Sequence, residues 1–362
     1  MLTNKVILII SPQEWNSIKI SKHYYAKELS NLNNKVYFLN PIKTGLFSNI
    51  RNVDKNIWVI DFKLPIPYVF KFKFRPIYDF ILTNYFSFFL NKKKILPQII
   101  WDFDNTHQFN NYLIFKGAVK IFHPVDALCI DSKKINKKPD IIFSVSTLIL
   151  NKININVPKY FINHGLSNTF LKRAYKNLEE NIFVKSIKNI GYSGNLNITA
   201  LNYKLFESIV EKYNQINFHF IGPCDNTTKL YSILKKYTNT HFTGNLFDND
   251  LVEKLNQMDI LFYNYISNNK NYFSDNSHKI LEYLSTGKII IGNKLLVYEN
   301  SDLILQSNND KEFIEQLNEI IKNPTNFNSI DLNKKKIQFA ISNSYYNQVK
   351  KIEKILIDNK LI

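Results

Sequence analysis

Cysteine is nearly absent: Cys129 and Cys224 are the only two in 362 residues. They stand far apart, each beside an apolar run, and cannot assemble a four-ligand metal site. Two buried thiols in a reducing compartment are expected. Only 9 glycines and 11 prolines exclude a fibrous or low-complexity chain. No apolar run approaches the roughly 18 residues that a membrane-spanning helix needs. The first apolar run, Val6–Ile10, is too short for a signal-peptide core and lacks a small-residue cleavage site. It reads as a first strand, and a cytoplasmic location is expected. There is no P-loop, no nucleophile elbow and no Rossmann glycine fingerprint. His23, His107, His219 and His241 lack metal-ligand spacing. RNA-recognition, zinc-finger and basic-zipper patterns are also missing, so no nucleic-acid partner is expected.

Positive charge and apolar residues are plentiful. The net charge is +17, the apolar fraction 45% and the aromatic fraction 14%. The length suits two domains, each able to bury its own core. A charge of that size attracts anions such as phosphorylated substrates or an anionic membrane surface. The lysines are spread along the chain, which fits a solvated basic surface. The sharper reading is an enzyme that works beside anionic lipid.

Short apolar runs alternate with amphipathic stretches throughout. In the first half Val6–Ile10, Val36–Leu39, Ile57–Ile60, Ile99–Trp101, Lys120–Phe122 and Ile141–Val145 read as buried parallel strands, and His23–Leu32 as a helix. In the second half Asn189–Tyr192, Asn217–Ile221, His241–Thr243, Ile260–Tyr263 and Ile289–Ile291 are strand candidates. Ala200–Tyr213, Lys229–Tyr237 and Asp248–Gln257 are the helices between them, and the alternation implies doubly wound sheets. A seam is expected at Asn163–Ser167, and Asn333–Ile357 reads as one terminal helix. From Lys63 to Lys94 aromatic and basic residues interleave, as in a core helix of the first domain or a helix lying on a membrane.

The segment Ser274–Asn293 carries the most chemistry. Asn276 and Ser277 are good helix caps, and a helix is expected from His278 to Ser285. Gly287 is placed to end it, and Ile289–Ile291 forms the next strand. Amides at such a helix start bind phosphate, and Lys279 adds a full positive charge. Glu282 follows Lys279 by three residues and His278 by four, so all three share a helical face. A carboxylate there can accept hydrogen bonds from two ribose hydroxyls. The simpler alternative is a surface salt bridge between Lys279 and Glu282.

The run Ser277-His278-Lys279-Ile280-Leu281-Glu282-Tyr283-Leu284-Ser285-Thr286-Gly287-Lys288 resembles the donor-site helix of family-4-like glycosyltransferases, in the branch that includes teichuronic-acid and capsule enzymes. Further segments resemble that family in the same order. They are Ile190–Asn195, Phe218–Pro223, His241–Gly244, Met258–Phe262, His123–Asp126, Ser144–Ser146, Asn163–Gly165 with Phe170, and Ala340–Tyr346. The resemblance implies a GT-B fold: two doubly wound Rossmann-like α/β domains facing across a cleft, with a terminal crossover helix. The expected boundaries are 1–165 for the acceptor domain, 166–335 for the nucleotide-sugar domain and 336–362 for the returning helix. It implies transfer from a UDP- or GDP-sugar to a polysaccharide or lipid-linked saccharide, with retention of configuration and without a metal or other cofactor. Glu282 would hold the ribose and Lys279 would face the pyrophosphate. Ser277, His278, Asn276, Gly194, Asn195, Gly244 and Tyr263 complete the expected donor site.

The chain departs from the family pattern in places. Ser274 stands where many relatives have a first glutamate, with Asp275 beside it. Asn195 and Asn197 replace an Arg and Lys after the first donor-domain strand, and Gln13–Ser17 replaces a glycine pair. These losses leave a non-catalytic binding protein as one alternative, and a sugar-nucleotide epimerase on the same fold as another. Asp102-Phe103-Asp104 has the spacing of a metal-binding DxD triplet, as in GT-A enzymes. His123 and Asp126 end a strand, and the expected catalytic role is sugar contact by His123 with Asp126 orienting it or the acceptor hydroxyl.

Overall fold

A computed structural model describes residues 1–129, 136–266 and 275–362. The chain divides into two compact units, Met1–His164 with Tyr345–Ile362, and Gly165–Ser344.

The first unit contains, in chain order, β1 (Val6–Ile10), α1 (Ser21–Asn31), β2 (Lys35–Leu39), β3 (Lys43–Thr44), β4 (Asn49–Asp54), β5 (Ile57–Asp61), β6 (Lys63–Leu64), α2 (Phe70–Lys73), α3 (Arg75–Lys92), β7 (Ile99–Asp102), β8 (Val119–Phe122), β9 (Ile141–Ser144), α4 (Thr147–Lys152) and β10 (Lys159–Phe161). Its main sheet runs β10-β9-β8-β7-β1-β2-β5-β4. All pairs are parallel except β4 with β5. The strands read as unbroken apolar runs because both faces are covered. Ile7, Ile9, Val36 and Phe38 pack on one side with α1, while Leu8, Ile10, Leu39 and Ile100 pack on the other with α3. Chain order reverses between β1 and β7, which leaves a crevice at the carboxyl ends of those strands.

The second unit contains α5 (Asn168–Glu179), β11 (Asn189–Ser193), α6 (Tyr203–Lys212), β12 (Asn217–Ile221), α7 (Lys229–Leu234), β13 (Thr240–Gly244), α8 (Asp248–Asn256), β14 (Ile260–Tyr263), α9 (His278–Leu284), β15 (Ile289–Asn293), β16 (Leu305–Ser307), α10 (Asp310–Lys322) and α11 (Ile330–Ser342). Its sheet is fully parallel, in the order β13-β12-β11-β14-β15-β16. Here the order reverses between β11 and β14, and α6 and α10 cover one face while α5, α8, α9 and α11 cover the other.

The terminal stretch departs from the expected single helix. It is two helices, α11 and then α12 (Tyr345–Asp358). The break has a local cause. Ser342 Oγ and Asn343 Nδ2 both donate to the Phe339 carbonyl, at 2.8 and 2.9 Å, and so compete with the helical ladder. Consequently α11 stays in the second unit, where Lys336 Nζ donates to the Lys288 carbonyl at 3.0 Å. α12 returns to the first, where Tyr345, Val349, Ile352 and Leu356 join the core beside α1. The thiols differ as well: Cys129 is exposed and Cys224 is half-buried.

The turns at the carboxyl ends of β11 and β12 touch backbone to backbone. Gly194 has φ +144° and Gly222 φ +139°, and a Cβ on Gly222 would lie 2.0 Å from the Gly194 carbonyl oxygen. Replacing Gly222 by Ala therefore forces both a rare backbone conformation and a shift of the Gly194 turn. The expected cost is about 2–4 kcal/mol. A melting curve checks this: the variant should unfold several degrees below the parent, and an unchanged midpoint would refute the contact.

Candidate functional site

The carboxyl end of β11 and the start of α9 build one site in the second unit. Ser277 is the N-cap of α9 in extended conformation, without a side-chain cap hydrogen bond, and Lys279 sits in the first turn. The Lys279 side chain is buried. Its Nζ donates to the Tyr192 hydroxyl at 3.0 Å and lies 4.3 Å from the centre of the Tyr192 ring and 5.4 Å from that of Tyr265. A Cβ on Gly194 would come within 2.6 Å of Nζ, so only glycine lets the ammonium lie against this turn. Among the described residues no carboxylate pairs with Lys279, and the alternative salt bridge to Glu282 does not form. Burial disfavours the charged form, but the hydroxyls of Tyr192 and Tyr265 hold the lysine above its usual pKa. Burial would also raise Tyr265, yet the Lys279 charge pulls it below its usual value.

Glu282 is half-buried one turn along. Burial pushes its carboxyl up to about 7, against the pull of Lys279. The His278 side chain is exposed, yet the protein packed around its ring and the adjacent Lys279 lower it to about 4, so it is neutral near pH 7. Asn276 is buried just before the cap. Tyr283 was given no role by the sequence pattern, yet its hydroxyl accepts the Ser193 amide hydrogen bond at 2.7 Å. It ties α9 to the Ser193–Gly194 turn and so fixes where Lys279 points.

The remaining expected donor residues divide. Gly244 ends β13 at φ +67° with open space where a Cβ would stand. Asn195 is occupied locally: its Oδ1 accepts the Asn197 amide at 2.9 Å, and Asn197 in turn accepts the Asp225 amide at 2.8 Å. These asparagines stitch the loop together. Tyr263 belongs to the core and not to the donor site. Its ring is fully buried, and a Cβ on Gly292 would come within 2.3 Å of it. The strand alternation explains this, because residue 263 points to the face covered by α5, α8 and α9. Ser274 lies outside the described residues.

A second cluster stands at the strand ends of the first unit. His123 is fully buried and stacks on Phe103, with ring centres 4.9 Å apart. Trp101 Nε1 donates to His123 Nδ1 at 3.2 Å. An indole nitrogen only donates, so Nδ1 must be the unprotonated nitrogen and Nε2 carries the hydrogen. Burial lowers the ring to about 3, with the charges of His164 and Lys22 acting the same way, so it stays neutral. That Nε2–H has no hydrogen-bond partner among the described residues. An orphaned buried donor is costly, and a ligand oxygen would satisfy it. Asp126 is exposed and does not orient His123, which Trp101 does instead. Lys22, in the first turn of α1, is also buried with no hydrogen-bond partner for its Nζ among the described residues. Burial lowers it to about 8, against the pull of Asp126 and Asp104. In a lysine-rich chain nothing in the sequence distinguishes it.

The DxD triplet serves the fold. Asp102 Oδ2 accepts from Lys137 Nζ at 2.5 Å and from the Tyr112 hydroxyl at 2.6 Å, and its Oδ1 accepts the Asp104 amide at 2.7 Å. Asp104 Oδ1 accepts from Thr106, and its Oδ2 accepts the Gln108 amide at 2.5 Å. Both carboxyls are fully buried and every oxygen accepts a hydrogen bond from the protein, so a cation reaches them only by opening this network. No group of metal-binding side chains is found among the described residues.

Comparison with solved structures decides the architecture. Sucrose-phosphate synthase of Thermosynechococcus elongatus matches with TM-score 0.69 and 11% identity, over 98% of this chain and 99% of that one. The Anabaena protein HepE, in complex with UDP and glucose, matches with TM-score 0.64 and 12% identity, over 97% and 99%. WaaG, a glycosyltransferase involved in lipopolysaccharide biosynthesis, matches with TM-score 0.63 and 10% identity, over 97% and 99%. This chain has the GT-B fold. No family model and no curated protein matches the sequence. At such low identity the likeness concerns the GT-B architecture alone.

Glu282 yields a pH signature in the free protein. The folded chain holds this proton more tightly than the unfolded chain, whose carboxyl titrates near 4.5. Stability therefore falls as pH rises from there through about 7, and the loss is complete above it. Glu282→Gln cannot ionise and escapes that loss. It should be more stable than the parent by about 1–3 kcal/mol at pH 8 and nearly equal to it at pH 5. A melting-temperature difference that does not change with pH would refute this burial effect.

Proposed function

We propose that this chain is a glycosyltransferase that takes a sugar from a UDP- or GDP-sugar and passes it to a polysaccharide or lipid-linked saccharide acceptor in cell-surface polysaccharide synthesis. One observation carries the proposal: the Lys279 ammonium is buried beside the Gly194 turn, bonded to a tyrosine hydroxyl and in no salt bridge with a carboxylate among the described residues. A diphosphate supplies the missing negative charge. As the nucleotide leaves, its growing charge meets an ammonium already held in place, which is the usual source of electrostatic catalysis. Glu282 accepts hydrogen bonds from the ribose hydroxyls. Ser277, His278 and Asn276 line the approach to the diphosphate. In this reading binding of a nucleotide diphosphate draws Glu282 toward its ionised form, because ribose hydroxyls hydrogen-bond best to a carboxylate.

In the first unit the orphaned His123 Nε2–H donates to an oxygen of the transferred sugar or of the acceptor. This role favours an enzyme over a binding protein. Asp102 and Asp104 are committed to internal hydrogen bonds, which supports a metal-independent reaction. The complex of HepE with UDP and glucose is consistent with this donor class. Retention of configuration and a cytoplasmic site of action, with peripheral contact to the inner membrane face, complete the proposal.

Titration calorimetry with a panel of UDP- and GDP-sugars, in the presence of EDTA, tests it. At least one donor should bind, and Glu282→Ala should weaken that binding by about 1–3 kcal/mol through loss of charged hydrogen bonds. Absence of heat with every donor, with or without added magnesium, would refute the function. Unchanged affinity in a folded Glu282→Ala protein would refute the ribose assignment.

A further inference from the structure

The helix pair α2–α3 is apolar on two sides. On α3, 18 residues long, Tyr78, Leu82, Phe86, Phe89 and Leu90 face the core. Helical spacing places Ile77, Asn84 and Phe88 along the opposite side, with Phe80 next to them, while Ile81 packs partly against the core. That side is open: Ile77 is 50%, Phe80 71% and Phe88 67% exposed. On α2, Phe72 is 69% exposed. The loop tip at Phe47, 83% exposed, is held beside the strand leading into α2 by the β3–β6 pairing. Scattered apolar residues on a surface are ordinary, but Ile77, Phe80 and Phe88 exposed together on one side of α3, beside Phe72 of α2, mark an interaction site.

Charge identifies the occupant. Residues 63–94 hold seven basic side chains and one acid, Asp79, which Arg75 already pairs at 2.8 Å. Lys73, Lys92, Lys93 and Lys94 are all exposed. A second copy of the chain would bring the same sign of charge to the same face and be repelled. An anionic lipid surface accepts both parts, with phenylalanines at the boundary of headgroups and acyl chains and lysines over the phosphates. Among the described residues no helix is long and apolar enough to cross a membrane, so the contact is one of lying on the surface. We propose that the outer face of α2 and α3 docks on an anionic membrane, with Phe72, Phe80 and Phe88 as the inserted groups and Lys73 and Lys92–Lys94 as the charge contacts. This docking stands on the α2–α3 surface alone and does not depend on sugar transfer.

Vesicle co-sedimentation of the full chain tests the proposal. Vesicles of phosphatidylcholine alone are compared with vesicles that also contain phosphatidylglycerol. The parent should sediment with the anionic vesicles and lose affinity as salt rises. The double variant Phe80→Ser with Phe88→Ser should bind about tenfold or more weakly, with unchanged circular dichroism. The triple variant Lys92→Gln, Lys93→Gln and Lys94→Gln should lose most of the salt dependence. A parent that stays in solution with both vesicles would overturn the proposal, as would variants that bind like the parent. Light scattering that showed a dimeric parent and a monomeric Phe80→Ser, Phe88→Ser variant would overturn it in favour of a second copy.

Discussion

A buried ammonium with no ion-pair partner among the described residues organises the second unit's functional edge. Removing a lysine charge from water is expensive unless something compensates it. For Lys279 the hydroxyls and ring faces of Tyr192 and Tyr265 outweigh that cost and keep the ammonium charged. The rest of the edge is arranged to keep it there. Gly194 makes the room, Gly222 lets the Gly194 turn approach, and the Tyr283 hydroxyl holds that turn against α9. Burial on the same helix turn raises Glu282. A fixed positive charge held by neutral hydroxyls, with no ion-pair partner among the described residues, is what makes this edge receptive to an anion.

The fold makes such an edge possible. A parallel sheet covered on both faces leaves only its strand ends open, and the reversal between β11 and β14 widens one of those ends. The first unit repeats the reversal between β1 and β7, and there His123, just past the end of β8, and Lys22, in the first turn of α1, are buried with donors that the described protein does not satisfy. The two edges share a logic. In each, a buried polar group packs against aromatic rings, His123 on Phe103 and Lys279 on Tyr192, and so remains available to a ligand at little reorganisation cost.

Much of the sheet framework was readable in the sequence because a doubly covered strand needs an unbroken apolar run. Val6–Ile10, Asn217–Ile221 and Ile260–Tyr263 have the same bounds in the structure. The polar edge strand Asn49–Asp54 left no such trace, since it faces solvent and pairs only with β5. The split between α11 and α12 was hidden because side-chain competition at Ser342 and Asn343 interrupts a pattern that is amphipathic on both sides of it. At the site, Lys279 and Glu282 stood out through their place in the helix pattern. Their environment did not, because Tyr192 and Gly194 are more than eighty residues away in sequence and meet Lys279 only through the sheet register. Tyr263 was misplaced for the converse reason: its position next to the donor loop was visible, but not which face of the strand it occupies. The Lys137 that neutralises Asp102 was equally invisible, so the DxD spacing alone resembled a metal site.

The central claim is that Lys279 exists to meet a diphosphate. Affinities of UDP and uridine for the parent and for Lys279→Met measure this most directly, since the two ligands differ only in the diphosphate. If GDP is the base used, guanosine and GDP serve in their place. The parent should prefer the diphosphate by about 2–3 kcal/mol, as expected for charge-assisted hydrogen bonds, and the variant should lose most of that preference while still binding the nucleoside. An equal preference in parent and variant, with both proteins folded, would show that the phosphates bind elsewhere and contradict the account.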